Sequence, residues 1–379
     1  MKTPRLSAIA FCALLIMFCS CGEKKSEIVS IDLKNCVAPA EMFEPDFEII
    51  PLETTEESLI GEIEKVKLHD SCFFVEDRTQ ESILIFDWKG KYLNKISRLG
   101  RGPGEYTDIS DFDVYDGFVY VFSGSGYVLR YNTNGKFIDQ MEVDDDYCSM
   151  LVAGRDSILM FANNVSNSKL NYRLLDWKTG GVLEEWDKFE ARGMGVGSWS
   201  PMCRTDKGIL LSKLFDYSLY LYNQSGYNKI VEVDFPGFDK IPETPETFYE
   251  KSRVIVSNGL NVVTHFGQIM SYNGKLYLYY NCFEYCYVDG IKASKFMQYL
   301  SEIDATTKEQ RTTAIDGYTI REDFPFLGCL FAALQDGKLV TYIPCNTILN
   351  YQPDCVTRYH QLANIKEDDN VVFIVHHIK

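Results

Sequence analysis

The sequence predicts an all-β protein, a six-bladed β-propeller of four-stranded antiparallel blades. Four hairpin-like segments recur along the chain, and their turn glycines, Gly90, Gly135, Gly180 and Gly226, lie 45, 45 and 46 residues apart. Each segment has apolar and polar residues in alternation around its turn, as in SILIFDWKGKYLNKI from Ser82, which is typical of a half-buried hairpin. A strand repeat with a period of roughly 40 to 50 residues is what propeller blades require.

Each unit also opens with another pair of alternating apolar runs, which are joined by a short polar turn. These turns are His69-Asp70-Ser71, Asp116-Gly117, Arg155-Asp156-Ser157, Lys207-Gly208, Asn273-Gly274 and Asp336-Gly337. Asp-Gly and Asn-Gly between such runs are strong hairpin signals. The pairs complete six four-stranded units, with blades at about residues 64–98, 109–143, 148–188, 198–235, 267–315 and 328–379.

The two ends of the chain predict how the ring of blades closes. Residues 46–54 contain an isolated strand before the first full unit, and residues 370–375 read as the last strand of the chain. Pairing of these two strands within the last blade would remove the open edges at which the ends of the ring meet. We therefore expect the propeller to span residues 45–379, after a polar tether at residues 21–44.

Residues 1–20 have the pattern of a lipoprotein signal peptide. Lys2 and Arg5 flank the start of an apolar run over residues 6–18, which is shorter than the roughly 20 residues that a membrane-spanning helix needs. The following Cys19-Ser20-Cys21 resembles a bacterial lipobox, in which Cys21 would carry the lipid, although Phe18 stands where leucine is usual. Cleavage to a free, soluble protein is the alternative. The pattern predicts a cell-envelope protein that is anchored by this lipid to the outer membrane and faces the periplasm or the cell surface.

The chain is acidic, which limits its partners. Its formal net charge of −16 becomes −18 when removal of residues 1–20 takes away Lys2 and Arg5. This charge argues against nucleic acid and against anionic membrane surfaces as partners, so that the lipid would be the only contact with the membrane. Solubility alone is the simpler explanation of the acidity.

No metal site or cofactor is predicted, and the cysteines leave disulfides open. The five histidines are scattered or adjacent, and Cys282 and Cys286 have no matching histidines for zinc. Nine cysteines remain beyond Cys21, an odd number that cannot all pair internally. In an exported chain some disulfides are plausible, and the candidates, which all fall on long connections, are Cys282, Cys286, Cys345 and Cys355.

The segment between the first two units resembles a known family. Arg98-Leu99-Gly100-Arg101-Gly102-Pro103-Gly104-Glu105-Tyr106, with IIPLETTEESLIGEI from Ile49 and FDWKGKYLNKI from Phe86, is similar to the six-bladed β-propeller lipoproteins of Bacteroidota. This resemblance covers nearly all of the mature chain. It implies an envelope lipoprotein with a fold akin to NHL-repeat propellers, and it assigns no activity and no catalytic residue.

The long connections are predicted to lie on one face of the ring. In a four-stranded blade the loops between the second and third strands share a face with the crossings between blades, and the short turns share the other. All the long segments fall on the face that carries the second-to-third-strand loops and the crossings, which we term the long-loop face. These segments are residues 100–106, 192–199, 236–267, 281–295 and 344–354. Function concentrates in long loops on a rigid scaffold. We therefore expect binding on this face, above all at units four to six, where the regular pitch ends.

The candidate ligand-binding residues are charged and aromatic side chains of these connections. They are Arg101, Glu105, Tyr106, Arg192, Trp199, Tyr249, His265, Phe283, Tyr285, Glu322 and Tyr351. Arg101 and Glu105 could instead form a structural ion pair. The aromatic residues could instead anchor their loops to the scaffold. Asp108, Asp111 and Asp113 form a further cluster, either functional or structural. The glycine-rich segments lack the strand-to-helix context of a phosphate-binding loop.

Together these observations favour a lipid-anchored propeller that binds a glycan, a small molecule or an envelope protein on its long-loop face, with no catalysis assigned. A glycan-active lyase or hydrolase is one alternative, for which His265, Tyr249, Arg192 and Glu322 would have to converge near the central channel. A structural subunit of an envelope complex is the other, because a fold alone does not decide a function.

Overall fold

Six sheets of four antiparallel strands form a closed ring in the computed structural model of this chain. The structure describes residues 27–144, 146–189, 200–214, 216–241, 248–288, 291–315 and 330–379. The ring is the six-bladed β-propeller that the sequence predicts.

The N-terminal segment and the first three blades follow one another in the chain. The segment contains β1 (Glu27–Ser30), α1 (Pro39–Met42) and β2 (Phe43–Pro51). Blade one contains β3 (Ile63–His69), β4 (Cys72–Asp77), β5 (Ser82–Asp87) and β6 (Tyr92–Ile96). Blade two contains β7 (Asp111–Tyr115), β8 (Phe118–Ser123), β9 (Tyr127–Asn132) and β10 (Phe137–Glu142). Blade three contains β11 (Ser149–Gly154), β12 (Ser157–Phe161), β13 (Leu170–Asp176) and β14 (Val182–Lys188).

The described helices other than α1 lie in the longer connections of blades four to six. Blade four contains β15 (Met202–Thr205), β16 (Gly208–Leu211), β17 (Ser218–Asn223) and β18 (Gly226–Asp234), and α2 (Phe248–Asn258) follows it. Blade five contains β19 (Val262–Tyr272), β20 (Lys275–Val288), β21 (Ile291–Asp304) and β22 (Gln310–Ile315). Blade six contains β23 (Leu330–Gln335), β24 (Lys338–Ile343), α3 (Cys345–Tyr351), α4 (Pro353–Arg358), a 3₁₀ turn (His360–Leu362) and β25 (Val372–Ile378). Within the described ranges, no helix is long and apolar enough to cross a membrane.

The ring closes where β2 pairs with β25. Ile49 lies opposite Ile374, and Ile50 lies opposite Phe373, in an antiparallel ladder. Blade six therefore has the strand order β2-β25-β24-β23. The predicted closure by N-terminal and C-terminal strands in the last blade is confirmed. Because this blade needs both ends of the chain, it cannot form until the ends meet.

The apolar core is divided among the interfaces between neighbouring blades. Phe74 and Ile85 of blade one, for example, belong to one buried cluster with Phe112 and Val121 of blade two. Similar clusters join blades six and one, two and three, three and four, four and five, and five and six. Each blade therefore buries its apolar side chains against both of its neighbours, which holds the ring rigid.

The repeat spacing has a physical cause in the turn between the third and fourth strands. All four turn glycines have positive φ angles, between +69° and +95°, which glycine adopts without a steric penalty. At Gly90 a side chain would also meet the carbonyl oxygen of Pro51 at 2.3 Å. The neighbouring Trp88 donates its Nε1 hydrogen to Glu48 Oε2 at 2.7 Å. The turn of blade one is thus packed onto β2 in blade six, and glycine is required at the closest approach.

Residues 27–42 run along the outside of blades four and five, and we term them the strap. β1 pairs in parallel with β18 as a fifth strand of blade four. The backbone N–H of Val37 donates to Thr312 in β22 at 2.8 Å, and Arg311 Nη1 donates to the carbonyl oxygen of Glu41 at 2.7 Å. Part of the segment predicted as a tether is therefore bound to the propeller.

Candidate functional site

The two faces of the ring differ in the backbone that forms them. The strand orders place the turns between first and second strands on one face, opposite the long-loop face. In four of these turns both central residues have positive φ angles, namely Asp70-Ser71, Asp116-Gly117, Asn273-Gly274 and Asp336-Gly337. This is the type I′ geometry of tight hairpins. Connections with room for binding side chains therefore lie on the long-loop face.

A groove begins on the long-loop face beside the crossing from blade one to blade two and follows the outer strands of blade two. Its volume is about 770 Å³, within the range of small-molecule sites. We term it the crossing groove, and its lining residues are Gly100, Arg101, Gly102, Pro103, Glu105, Thr107, Ser125, Tyr127, Phe137 and Gln140. Two of the predicted residues, Arg101 and Glu105, are among them.

Arg101 and Glu105 line this groove without forming an ion pair. The Glu105 carboxylate instead accepts the backbone N–H of Gly102 at 2.8 Å. A side chain at Gly100 would meet the same carboxylate at 2.0 Å, so glycine at position 100 lets Glu105 fold over the loop. The interpretation of the two residues as a structural ion pair is therefore wrong. The exposed guanidinium of Arg101 has no hydrogen bond or ion pair with any described residue.

Blade two contributes three lining side chains that were not predicted. Tyr127 and Phe137 are half-buried, and Gln140 is exposed. Neither the Tyr127 hydroxyl nor the Gln140 amide has a hydrogen bond to a described side chain or backbone group. Phe137 packs edge to face on Tyr131, with 5.9 Å between the ring centroids. The crossing groove thus combines a cation, a phenol and an amide with an apolar wall, which suits a polar ligand that has one apolar face.

Tyr106 supports the groove from below and does not line it. Its side chain is fully buried, and its hydroxyl lies 2.9 Å from the carbonyl oxygen of Glu81 and 3.2 Å from that of Ile96. Burial raises the pKa of Tyr106 to about 12. The prediction of Tyr106 as a ligand contact is corrected, because a buried side chain that is bonded to blade one cannot reach a ligand.

The other predicted residues are on later blades or lie beyond the described side chains. Arg192, Trp199 and Glu322 lie outside the described residues, as do the side chains of Tyr249, His265 and Tyr285. Phe283 packs edge to face on Phe296 of blade five, with 5.1 Å between the ring centroids. Tyr351, at the end of α3, is 77% exposed. Neither residue lines the crossing groove, and the convergence that an enzyme would need stays a prediction.

The candidate cysteines are free thiols where they are described. Cys282, Cys345 and Cys355 form no disulfide, and the side chain of Cys286 and the whole of Cys21 lie outside the described residues. Burial raises the pKa of Cys282 to about 12 and that of Cys345 to about 11. The expected disulfides among these three are therefore corrected, because Cys282 is packed in the core of blade five and Cys345 donates to the carbonyl oxygen of Asn370 at 2.9 Å. Within the described ranges, no three His, Cys, Asp or Glu side chains come together as metal ligands.

A second cluster of polar groups lies in the central channel, around the buried Asp113 of β7. Arg204 of β15 donates from Nη2 to Asp113 Oδ1 at 3.2 Å, and Lys67 Nζ of β3 lies 3.5 Å from the same oxygen. The backbone N–H of Val152 in β11 donates to Oδ2 at 2.9 Å. Burial alone would raise the pKa of Asp113, but Arg204 and Lys67 hold it well below its usual range. One carboxylate thus joins blades one to four.

Asp111 makes an analogous contact nearer the long-loop face. It lies 2.5 Å from Lys65 Nζ, and it accepts the Ser149 hydroxyl at 2.7 Å. Glu76 of β4, which is 4% exposed, lies near this pair. Burial, with the Asp111 carboxylate as a second cause, raises the pKa of Glu76 to about 8. Glu76 is therefore mostly protonated near neutral pH.

The predicted cluster of three aspartates serves the structure of the scaffold. Asp108 Oδ1 accepts the Ser123 hydroxyl at 2.8 Å and the Gly124 N–H at 2.7 Å. Asp111 and Asp113 accept backbone N–H groups from blade three. Of the two interpretations left open, the contacts support the structural one.

Comparison with known proteins gives a family and a fold. A family model described as a domain of unknown function, DUF4934, matches residues 32–377. A solved structure from Bacteroides fragilis, named "Putative exported protein", aligns with a TM-score of 0.73 and 15% identity over 93% of this chain and 100% of its own. A member of the duf4221 family from Bacteroides vulgatus aligns with a TM-score of 0.53 and 11% identity over 89% of this chain and 97% of its own. No curated protein matches the sequence. At such identities the two structures support the fold alone.

Proposed function

This chain belongs to the DUF4934 family, whose description assigns no function, and we propose that it is an exported, lipid-anchored propeller that binds a glycan in the crossing groove. The proposal concerns binding without catalysis. It rests on the chemistry of the groove, on the rigidity of its walls and on the N-terminal sequence.

The unpartnered polar side chains of the groove carry the proposal. Arg101, Tyr127 and Gln140 offer donors and acceptors to which no described protein group is bonded. Sugars present hydroxyl groups around their edge and apolar C–H groups on their faces. A groove with several unused polar groups and an aromatic wall matches both features, since aromatic side chains such as Tyr127 and Phe137 pack against apolar faces.

The walls of the groove are fixed before any ligand binds. Tyr106 anchors the crossing to blade one, and Tyr131 donates to the carbonyl oxygen of Gly104 at 3.1 Å. Gly104 has a φ angle of +73°, and a side chain there would meet the Phe137 ring at 2.6 Å. The crossing is thus pressed onto blade two. A preorganised site of this kind avoids the cost of ordering loops on binding.

The N-terminus supports export and anchoring. Residues 1–21 carry the signal and lipobox pattern, and the structural neighbour from Bacteroides fragilis is itself named as an exported protein. Only residues 22–26 separate Cys21 from β1, and a fully extended chain of that length spans about 20 Å. A lipid on Cys21 would therefore hold the side of blade four close to the membrane.

Glycan binding is tested with the mature chain from residue 22, first on a glycan array and then by calorimetry with the best ligand. Arg101→Ala and Tyr127→Ala should each weaken binding at least tenfold, because each removes a group that only the ligand would engage. Arg155→Ala is the matched control, since Arg155 is 80% exposed on the opposite face. Unchanged affinity in both groove variants, or an array without any bound glycan, would contradict the proposal.

Anchoring is tested separately in cells. Wild-type protein should incorporate a fatty-acid label and fractionate with membranes, and Cys21→Ala should do neither. A Cys21→Ala chain that still carries the label would exclude this cysteine as the anchor.

A further inference from the structure

Among the described side chains, those at the central channel carry more positive than negative charge. Lys65, Lys67 and Arg204 are paired with only two carboxylates, those of Asp111 and Asp113. Glu76 does not supply a third negative charge near neutral pH, because its buried carboxyl keeps its proton. A buried excess charge is costly unless it is paired. The excess is notable in a chain whose overall formal charge is −16.

Lys67 is the cation with the fewest contacts to the two carboxylates, so most of the excess positive charge lies on it. Its ammonium group has one ion-pair contact, 3.5 Å from Asp113 Oδ1, and no hydrogen bond to any described group. An ammonium group has three N–H donors, so its donors are available. Burial lowers the pKa of Lys67, and Asp113 offsets this only in part. The side chain of Lys67 is 14% exposed, and its ammonium group therefore lacks the partners that a largely buried cation usually has.

Arg204 is used differently. Four of its contacts are with protein oxygens, two with Asp113 and one each with the carbonyl groups of Val152 and Val114. A guanidinium has five N–H donors, and its Nε–H has no partner among the described groups. Arg204 can thus hold Asp113 and still offer one donor.

Lys67 and Arg204 line the same cavity in the channel. The cavity has a volume of about 110 Å³, and Ser271, Gln335 and Asp336 lie along its wall. A cavity needs only about 10 to 15 Å³ of such volume to hold one water molecule, so this space can hold an ion of a few heavy atoms. Asp336 is exposed at the turn, where its carboxylate accepts the Gln335 amide at 3.2 Å. It is therefore solvated and does not neutralise the buried charge.

We propose that the central channel is a binding site for a small oxyanion, held by the Lys67 ammonium and the Arg204 Nε–H. The ligand is either a free oxyanion or the carboxylate end of a larger acidic molecule, since both present the same charged oxygens. The site is separate from the crossing groove and does not depend on glycan binding there. Bound, the anion supplies the missing negative charge and the hydrogen-bond acceptors for Lys67.

The first experiment is calorimetric titration of phosphate and of acetate into the mature chain, with chloride keeping the ionic strength constant. One of them should bind with saturation at a single site, and Lys67→Met should weaken that binding at least tenfold. Lys67→Arg should retain it, because the charge is kept. Lys95→Met is the matched control, a half-buried lysine on an outer strand whose ammonium group donates to Gln80.

A second titration distinguishes the sources of the oxyanion. Galacturonate should bind in a Lys67-dependent manner if the end of a larger acid enters the channel, and it should fail to bind if only free small anions fit. Galactose, which has no carboxylate, should not bind in the channel in either case. Absence of Lys67-dependent binding for phosphate, acetate and galacturonate alike would overturn the proposal. If circular dichroism shows that Lys67→Met does not fold, Lys67→Gln provides the second neutral variant.

Discussion

Replacement of Glu76 by glutamine should stabilise this propeller at neutral and alkaline pH and have little effect in acid. Glu76 is 4% exposed on β4, and burial raises its pKa to about 8. In the unfolded chain its pKa would be near the ordinary value of 4.5. The folded state therefore binds the Glu76 proton more tightly than the unfolded state does. Its contribution to stability is complete below about pH 4 and is lost as the pH rises towards 8.

The size of this effect follows from the two pKa values. One pKa unit corresponds to about 1.4 kcal/mol. A shift of the Glu76 pKa from the ordinary value of 4.5 to about 8 therefore lowers the free energy of unfolding by at most about 5 kcal/mol in alkali. At pH 7 the loss is about 3 kcal/mol, and at pH 5 it is below about 1 kcal/mol. Glu76→Gln keeps the shape of the protonated side chain but has no proton to lose. The stability difference between variant and wild type should therefore grow by about 2 to 3 kcal/mol between pH 5 and pH 7.

Urea denaturation of both proteins at half-unit steps from pH 5 to pH 9 measures this difference directly. Glu142→Gln is the matched control, because Glu142 is exposed on β10, and its difference from wild type should stay flat. A difference for Glu76→Gln that varies by less than about 1 kcal/mol over this range would refute the reasoning. It would mean that the carboxylate is ionised inside the fold, held by Lys65, and the charge excess in the channel would then disappear.

Two further variants test the scaffold. Asp113→Asn should destabilise the protein by about 3 to 5 kcal/mol at pH 7, because it leaves Arg204 without its carboxylate in the channel. Since the pKa of Asp113 is lowered, the stabilising effect of this carboxylate is present above about pH 4 and is lost only in stronger acid. A loss of stability below about 1 kcal/mol in urea denaturation at pH 7 would contradict this prediction. Gly208→Ala should cost clearly more than Gly226→Ala, because a side chain at Gly208 would meet the carbonyl oxygen of Tyr222 at 2.3 Å, whereas the space at Gly226 is open. The backbone adds to this difference, since the φ angle of +137° at Gly208 is further from the left-handed helical region than the +95° at Gly226. Equal melting temperatures for the two variants would contradict this reasoning.

The regular part of the fold could be predicted because each blade repeats a local requirement. The third-to-fourth turn needs positive φ, so glycine recurs wherever that turn recurs. β1 could not be predicted in this way. Its partner strand is more than two hundred residues away, with Ile28 opposite Glu232, and a four-residue strand in a polar segment has too few positions to show an alternation.

The residues of the candidate sites could be predicted only where charged or polar side chains lie on a loop. Arg101 and Glu105 stand in an irregular connection, where charged residues are not needed for strand pairing and so indicate a candidate site. Tyr127 and Gln140 lie on strands, where alternation does not say whether a side chain faces solvent or a groove. For the channel a signal was present. Lys67 alternates with Val66 and Leu68 on the first strand of its blade, and the first strand of a propeller blade is the one that lies beside the channel.

The strap also determines how the protein would respond to mechanical force. A pull applied through the residues before Glu27 reaches β1 first, then the Val37 and Glu41 contacts on blade five, and only then the β2 strand that closes the ring. These attachments are in series, so each must break before the next is loaded. The short parallel pairing of β1 with β18 therefore keeps tension away from the β2–β25 pairing that closes the ring.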